Sequence, residues 1–491
     1  MSAQLPILQV LLPLLAAPLC AILRGRALPH ALSVGTVLLS LLVTVGLLIR
    51  VESTGTISYA IGGWPPPIGI EYRVDQLSVI VLLIIQGVAA AVLVGGGASI
   101  VREIEATRAP LFYALFLLNL TGLTGMVLTG DLFNLFVFLE ISSLSTYVLV
   151  ALGTDRRALL AAYQYLVIGT VGATFYVIGV GLLYMMTGTL NMADLADRVA
   201  GVEESTTIRT AFAFMIIGIG VKLGMMPVHF WLPNAYARAP SVVSAFLAAT
   251  STKVAVYIML RVVFEIFGVP MFLATHLSEI IIGLGILAMV VASVTAIFQD
   301  DVKRLLAYSS LAQIGYILFA FGLATEPGVT ASVLHLFNHG LMKGALFLAL
   351  AAVALRAGRT RRTDLDGLGQ AMPLTMLGFT LAGLSLIGVP GTVGFISKWY
   401  LLEAAFDRDG FIIAAIILGS SLLAILYVWP LVERAYFRKR DPALPPVEEA
   451  PLPMLIGIWL LVGANLLFGV WPDLATGLAE RSALLLLGGA R

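Results

Sequence analysis

Long apolar runs fill this sequence from end to end, and they constrain its fold more than any other feature. A helix needs about 20 mostly apolar residues to cross a lipid bilayer. Such runs lie near residues 5-23, 31-49, 76-98, 110-127, 132-152, 159-187, 208-228, 240-264, 277-298, 303-323, 329-355, 373-404, 411-437 and 452-471. Because the connections between them are too short for a soluble domain, the runs predict an all-α polytopic membrane protein with about 14 transmembrane helices.

The composition argues against several classes of protein. Of the 491 residues, 59% are hydrophobic and only 12% are charged, whereas about a quarter of the residues in a soluble domain are charged. The net charge of +1 offers no global field that would attract nucleic acid. The single cysteine, Cys20, cannot form an internal disulfide, and no Cys/His cluster predicts a metal or iron–sulfur site. We therefore expect a lipid-embedded chain with no cofactor, no metal and no nucleic-acid partner.

The loops between the apolar runs differ in their content of basic residues. If the N-terminus lies outside, 17 of these residues fall on the inner side: Arg24, Arg26, Arg102, Arg108, Arg156, Arg157, Arg238, Lys303, Arg304, Arg356, Arg359, Arg361, Arg362, Arg434, Arg438, Lys439 and Arg440. The outer side holds 8: Arg50, Arg73, Arg198, Arg209, Arg261, Arg408, Arg481 and Arg491. Cytoplasmic loops carry an excess of Lys and Arg. The bias predicts a multi-pass protein of a bacterial inner membrane with both termini outside.

The remaining basic residues lie inside apolar runs, and all of them are lysines. They are Lys222, Lys253, Lys343 and Lys398. Arginine stays protonated in any protein environment, whereas lysine loses its proton readily when it is desolvated. Because a charge at the bilayer centre costs about 3 kcal/mol or more, we interpret these lysines as a path for protons. The alternative is a snorkelling side chain or a fixed salt bridge, which suits Lys398 best because it lies nearest a helix end.

Glu140 is the one acidic residue well inside an apolar run. An unpaired carboxylate there would take up a proton, so we expect a basic partner, and Lys222 is predicted at a comparable depth. The pair could instead be structural, joining two helices. Asp131, which follows Gly130 at the start of the same run, is interpreted as a helix cap.

Three ionisable residues are spaced four apart in one run: His335, His339 and Lys343. This spacing places them on one helix face in a line about 12 Å long. Histidine titrates near neutral pH, so protons could hop along this line with intervening water. The alternatives are histidines that pack two helices together and a metal site, but no third ligand or HExxH pattern accompanies them. His229 is interpreted as a possible gate or only an interhelical hydrogen bond.

Two apolar runs contain a proline that should bend or unwind the helix within the membrane. Pro227 follows Lys222 closely, and Pro390 precedes Lys398 by eight residues. Proline removes a backbone donor and clashes with the preceding turn. Such breaks are tolerated only where they face protein or a water-filled cavity.

The matching positions of the two breaks predict an internal repeat. Transporters built from inverted repeats place their sites at discontinuous helices in corresponding positions. We expect two inverted five-helix repeats, 110-264 and 277-437, each with the broken helix fourth. Three N-terminal helices in 1-109 and a last helix in 452-491 would flank them.

Five stretches resemble the antiporter-like subunits shared by Mrp-type cation/proton antiporters, respiratory complex I and membrane-bound hydrogenases. They are Gly130 to Glu140, Met226 to Pro233, Ala239 to Lys253, Asp301 to Ser310 and His335 to Lys343. The resemblance implies that Glu140 and Lys222 form the essential Glu–Lys pair and that Lys253 is the central connecting lysine. It also implies that the His335/His339/Lys343 line links two half-channels, and that Lys398 is the lysine of the second broken helix.

The resemblance further suggests a particular member of the family. Residues 130–136 and 188–195 are most similar to the D-type subunit of Mrp antiporters, which implies a proton-translocating subunit of a multisubunit Na⁺/H⁺ antiporter, with H⁺, Na⁺ and other subunits as partners. His229 and residues 234–240 resemble the complex I side as closely. The alternative is therefore a proton-pumping membrane subunit of a complex I-like NADH-quinone oxidoreductase or a membrane-bound hydrogenase. Lysines confined to helix interiors argue against a purely structural scaffold.

Overall fold

A computed structural model describes residues 4–406 and 411–488 of the chain, and nearly all of them are helical. Arg408 and Arg491, two of the basic residues assigned to the outer side, lie outside the described residues. The first helices are α1 (Leu5–Ile22), α2 (Ala27–Thr54), α3 (Gln76–Gly95), α4 (Gly97–Glu103), α5 (Ala109–Leu128), α6 (Leu132–Ala151), α7 (Arg157–Thr187), α8 (Met192–Val199), α9 (Thr206–Leu223), α10 (Trp231–Arg238) and α11 (Ser241–Leu260). The remaining helices are α12 (Gly268–Ala274), α13 (Leu277–Ile297), α14 (Val302–Gly322), α15 (Glu326–Ala357), α16 (Leu368–Ala371), α17 (Pro373–Ile387), α18 (Val393–Phe406), α19 (Phe411–Phe437), α20 (Leu452–Val470) and α21 (Asp473–Leu486).

Every predicted apolar run overlaps a helix, so the predicted all-helical polytopic fold is confirmed. Within the described ranges, 13 helices are long and apolar enough to cross a membrane. The run 373-404 is not among them because a break divides it into α17 and α18. The division of the chain into two five-helix repeats stays a prediction.

The sequence did not predict several short elements at the helix ends. Strands β1 (Ile57–Ala60) and β2 (Glu71–Val74) pair antiparallel, with Ile57 opposite Val74. The last helix, α21, carries Arg481, which forms an ion pair with Glu52 at the end of α2. The backbone after α11 continues as a π-helix over Arg261–Phe267.

Polar contacts divide the connecting segments into two groups, one at each end of the helix bundle. At one end they join Arg26 to Ile104, Arg238 to Asp155, Lys303 to Ser241, Arg362 to Gln299 and Arg434 to Asp366. At the other end they join Tyr72 to Thr129, Asp131 to Asn191, Arg261 to Asp75 and Arg481 to Glu52. The loops assigned to one side by their basic residues therefore meet at one end of the bundle.

Both broken helices end at a glycine in the left-handed conformation. Gly224 follows α9 with a φ of +75°, and Gly388 follows α17 with a φ of +97°. Pro227 and Pro390 lie beyond these glycines, in the segments that lead to α10 and α18. A glycine C-cap, which tolerates positive φ, therefore terminates each helix before the proline is reached.

The centre of the bundle is α15, which is buried along nearly its whole length. Small residues allow its neighbours to approach closely. A Cβ atom on Gly340 would stand 2.7 Å from Ile84 of α3 and 3.2 Å from the Ala249 carbonyl of α11. This close packing brings α11 alongside the face of α15 that carries the predicted ionisable line.

Aspartates cap several of the long helices. The Asp131 carboxylate accepts a hydrogen bond of 2.7 Å from the Asn134 amide, which confirms its predicted role as the cap of α6. Asp75 accepts from the Ser78 amide at 3.0 Å and caps α3 in the same way. An acidic cap at a helix start satisfies a free N–H and complements the helix dipole.

Candidate functional site

Lys222 lies in the last turn of α9 and is 7% exposed. Its Nζ donates a hydrogen bond of 2.6 Å to Ser143 Oγ on α6. The ammonium also stands 5.4 Å from the centroid of the Tyr165 ring, close enough for a cation–π contact. Trp231 stacks on the same ring with centroids 3.8 Å apart, and its indole N–H donates to the Val221 carbonyl at 2.9 Å. The Trp231 indole thus bonds to the end of α9 at the first break, and the Lys222 ammonium beside it contacts only neutral groups.

Glu140 lies on α6, three residues before Ser143, and it is half-buried. The part of the chain that the structure describes contains no ion pair within 4.0 Å between Glu140 and Lys222. The two charges attract each other at longer range, and the Ser143 hydroxyl makes the direct contact instead. Glu140 shares its helix face with Val137 and Leu144, which are 39% and 55% exposed. The carboxylate therefore lies at the outer surface of this chain.

Lys253 lies in the middle of α11, a helix buried along its whole length, and is 1% exposed. Its ammonium donates to the Ala248 carbonyl and lies 3.4 Å from Thr252 Oγ1. Both acceptors belong to its own helix and both are neutral. One turn before Lys253, Ala249 packs against Gly340 and Gly344 of α15, which places this lysine next to the stretch that carries His339 and Lys343.

His335 is fully enclosed, and both of its ring nitrogens have partners. Nδ1 lies 2.8 Å from Ser397 Oγ on α18, and Nε2 lies 2.9 Å from Gln313 Oε1 on α14. Because the Gln313 oxygen only accepts, Nε2 carries the hydrogen when the amide has this orientation. The Ser397 hydroxyl then donates to Nδ1. It can also accept from Nδ1 if the ring takes up a second proton.

His339 and Lys343 continue the line along α15. The His339 ring is nearly parallel to that of His335, with centroids 6.2 Å apart, and neither of its nitrogens contacts a protein partner among the described residues. A buried polar group of this kind is normally satisfied by ordered water. Lys343 donates to the Leu306 carbonyl at 3.0 Å and to the Ser309 hydroxyl. The predicted line therefore exists, with protein partners at its two ends and an imidazole suited to water between them.

Lys398 lies on α18 and is 6% exposed. Its Nζ donates to the Leu386 and Ile387 carbonyls at 3.0 and 2.9 Å, which are the last two of α17. The ammonium stands 5.1 Å from the Tyr316 ring centroid, and that ring lies 5.7 Å from the His335 ring. The structure therefore brings Lys398 together with the His335 end of the α15 line through Tyr316 and α18.

His229 lies between α9 and α10 and is 8% exposed. It stacks on Phe230 with ring centroids 4.5 Å apart. Its Nδ1 has no protein partner in the described part of the chain. The ring neighbours the first break, and its role as a gate stays a prediction.

Sequence reasoning missed the neutral residues that hold these ionisable groups. On α14, Ser309, Gln313 and Tyr316 follow one another at helical spacing and contact Lys343, His335 and Lys398. Their signal was present as polar side chains at positions i, i+4 and i+7 within an apolar run. Such a stripe predicts a polar helix face, although it does not tell which helix that face meets.

The sequence assigned Arg261 to the outer-side group of basic residues, at the end of an apolar run, but it did not predict the partners of this residue. Arg261 is 3% exposed, and its Nη2 lies 2.6 and 2.7 Å from the two Asp75 oxygens. Nη1 donates to Glu265 at 2.9 Å. Burial by itself would raise the pKa of the Asp75 carboxyl, but the Arg261 guanidinium holds that pKa below its ordinary value. An arginine paired with carboxylates in this way is a fixed charge.

Residues 4–406 and 411–488 contain no group of three or more His, Cys, Asp and Glu side chains that could hold a metal ion. The chemistry that the arrangement offers is proton transfer between amines, imidazoles and hydroxyls. A profile of the NADH:quinone oxidoreductase/Mrp antiporter transmembrane family matches residues 129–424, more than half of the chain. The chain belongs to this family.

Members of the NADH:quinone oxidoreductase/Mrp antiporter family from both branches align with nearly the whole chain. The N-type subunit of NADH-quinone oxidoreductase from Desulforudis audaxviator is 40% identical over 489 residues, 94% of this chain and 94% of that protein. The D-type Na⁺/H⁺ antiporter subunit of Alkalihalophilus pseudofirmus is 31% identical over 467 residues, 92% of this chain and 93% of that protein. The chain is thus a multi-pass membrane protein similar to subunits of larger complexes.

A solved structure supports the same family assignment. A chain of the membrane-bound sulfane sulfur reductase, an archaeal respiratory membrane complex, superimposes with a TM-score of 0.91. It is 32% identical, and the match covers 99% of this chain and 98% of that one. The fold is therefore shared between family members that work in different complexes.

Proposed function

We propose that this chain is the proton-translocating, antiporter-like subunit of a multisubunit monovalent cation (Na⁺)/H⁺ antiporter. The observation that carries the proposal is the way the buried lysines are held. Each of Lys222, Lys253, Lys343 and Lys398 donates to hydroxyl or carbonyl oxygens. A neutral acceptor tolerates both the ammonium and the amine, so each lysine can release and regain a proton.

The contacts suggest an order for the transfer. Protons reach Lys222, whose charged form Glu140 favours, and pass to Lys253 on the neighbouring α11. They cross the line of His335, His339 and Lys343 with the help of water, and they leave near Lys398. In this scheme the units 110-264 and 277-437 act as two half-channels that meet at α15.

The position of Glu140 supports work within a larger complex. An ionised carboxylate that faces lipid is costly, and Glu140 shares an exposed helix face with apolar residues. A neighbouring subunit that covers this face would shield the carboxylate. A change in that subunit could then alter the attraction between Glu140 and Lys222 and drive proton uptake or release.

We also propose the orientation of the chain. The end of the bundle where the loops containing Arg26, Arg102, Arg238 and Arg434 meet carries the excess of basic residues. The positive-inside rule assigns this end to the cytoplasm. Both termini then lie outside, in the inner membrane of a bacterium.

A second candidate function is proton pumping within a complex I-like oxidoreductase, and the 40% identity to an NADH-quinone oxidoreductase subunit favours it. The proton path is the same in both cases, and the driving reaction differs. Purification of the complex from its native membrane separates them. Flavin and iron–sulfur subunits together with quinone reduction indicate the pump, whereas Na⁺/H⁺ exchange driven by ion gradients alone indicates the antiporter.

The path itself is tested in proteoliposomes that contain the complete complex. We expect Lys222→Ala and Glu140→Ala to abolish most of the proton transport while the complex assembles normally. Lys439→Ala is the matched control, because that lysine is exposed at the end of α19. Full transport by both Lys222→Ala and Glu140→Ala in a normally assembled complex would refute the proposal.

A further inference from the structure

The second broken helix ends in carbonyl groups that the sequence leaves without their usual partners. In a continuous α-helix, the Leu386 carbonyl would accept from the N–H of residue 390. That residue is Pro390, which has no N–H. Lys398 reaches back from the next helix, and its Nζ bonds to the Leu386 and Ile387 oxygens at 3.0 and 2.9 Å. These oxygens also form the negative end of the α17 dipole. Two oxygens and a helix end therefore converge on one cation.

The surroundings of this ammonium are built for a single positive charge. Tyr316 presents its ring at 5.1 Å, which adds a further favourable contact for a cation. Within residues 4–406 and 411–488, no carboxylate lies within 4.0 Å of Lys398 Nζ. With no anion to balance a second charge, two cations would repel each other strongly in this buried place. The oxygens can thus hold the ammonium or another cation, but not both.

The break is also accessible from outside the chain. Pro390 and Gly391 are exposed, and Gly388 is partly exposed. Unwound backbone at membrane depth is tolerated only where it lines a water-filled cavity or is covered by protein. Gly388 is needed here as well, because a Cβ atom at that position would stand 3.0 Å from Lys398 Cδ. An ion could therefore approach the carbonyls through this exposed segment.

We propose that the Leu386 and Ile387 carbonyl oxygens form a binding site for a monovalent alkali cation, which the cation and the Lys398 ammonium occupy in turn. Backbone carbonyls at the end of a broken helix are suitable ligands for such ions. Lys398 gives its proton to water, and the neutral amine withdraws. The cation then takes its place, so one H⁺ leaves for each cation that binds. The inference deepens the proposed function, on which it rests, by giving the location of exchange.

The test measures equilibrium binding of ²²Na⁺ to the purified complete complex over a range of pH. Where Lys398 is mostly protonated, only the deprotonated fraction can bind the ion. The apparent affinity for Na⁺ should therefore fall about tenfold for each unit decrease in pH. Addition of Na⁺ in weakly buffered solution should release about one proton for each ion bound, a measurement that needs no variant.

Two variants and a control sharpen the test. Lys398→Met removes the competing charge, so Na⁺ binding should persist and lose its pH dependence. Lys398→Arg keeps a permanent charge and should abolish binding at every pH. Lys222→Met is the matched control, because that lysine contacts Ser143 Oγ rather than helix-end carbonyls. It should lose proton transport and retain pH-dependent Na⁺ binding.

The outcomes separate this inference from the proposed function. A wild-type complex that transports protons without binding Na⁺, or that binds it with no pH dependence, overturns the cation site and leaves the proton path standing. Sodium binding by Lys398→Arg at wild-type affinity also overturns the site. Full proton transport by Lys222→Met overturns the proposed path instead.

Discussion

Gln313 offers a way to disturb the relay without touching an ionisable residue. This side chain lies on α14, is 1% exposed, and places Oε1 at 2.9 Å from Nε2 of His335. Gln313→Leu keeps a similar volume and removes the hydrogen bond. Leaving the buried imidazole nitrogen unpaired costs about 1–3 kcal/mol. If that energy orients the ring for proton transfer, transport should slow by about 5-fold to about 150-fold.

The assay compares initial rates of proton uptake in proteoliposomes with thermal unfolding of the same complexes. Gln86→Leu is the matched control, because Gln86 is equally buried on α3 and its amide has no protein partner in the described part of the chain. Removing an unpaired amide should leave transport unchanged and stability equal or higher. If Gln313→Leu transports at the rate of Gln86→Leu, His335 is not positioned by Gln313 for the transfer and this reasoning fails.

Three further predictions concern the parts of the fold that support the site. Arg261→Met leaves Asp75 as a buried carboxylate without its cation, so the free energy of unfolding should fall by about 3–5 kcal/mol. Arg481→Met, at an exposed ion pair, should change it by less than about 1 kcal/mol. Thermal unfolding distinguishes the two. Because Arg261 holds the pKa of Asp75 below its unfolded value of about 3.9, this carboxyl stabilises the fold above that pH, and its contribution disappears as the pH falls through the folded pKa. Unfolding of Asp75→Asn, followed between pH 3 and pH 7, should therefore depend less on acid than that of the wild type. Gly340→Ala should lower the free energy of unfolding by about 1–3 kcal/mol because its Cβ would stand 2.7 Å from Ile84 of α3. Gly283→Ala, where nothing lies within 4 Å, should leave the free energy of unfolding unchanged or raise it. Equal effects of the two substitutions would contradict the packing argument.

The membrane fold could be predicted from the sequence because each of its signals is local. An apolar run of about 20 residues is sufficient to predict a membrane-spanning helix, and a lysine inside it is visible without knowledge of the fold. The line from His335 to Lys343 follows in the same way from a spacing of four. Even the breaks at Pro227 and Pro390 are local, although a glycine C-cap ends each helix before the proline is reached.

The contacts between helices could not be predicted, because periodicity gives the face of a helix but not the helix that meets it. Glu140 was therefore assigned directly to Lys222 by depth and charge, whereas in the structure Lys222 donates to the hydroxyl of Ser143. Arg261 was assigned to the end of an apolar run without a predicted partner. Its carboxylate partner, Asp75, is 186 residues away in the sequence, so only the packed structure shows the pair.

The contrast between Arg261 and the four lysines explains how one bundle can hold fixed and transferable charge side by side. Arg261 is bound by the carboxylates of Asp75 and Glu265, and its guanidinium stays charged. The buried lysines donate only to neutral oxygens, so loss of the proton breaks no direct ion pair. In the proposed path, such sites would allow a proton to move stepwise along α11 and α15.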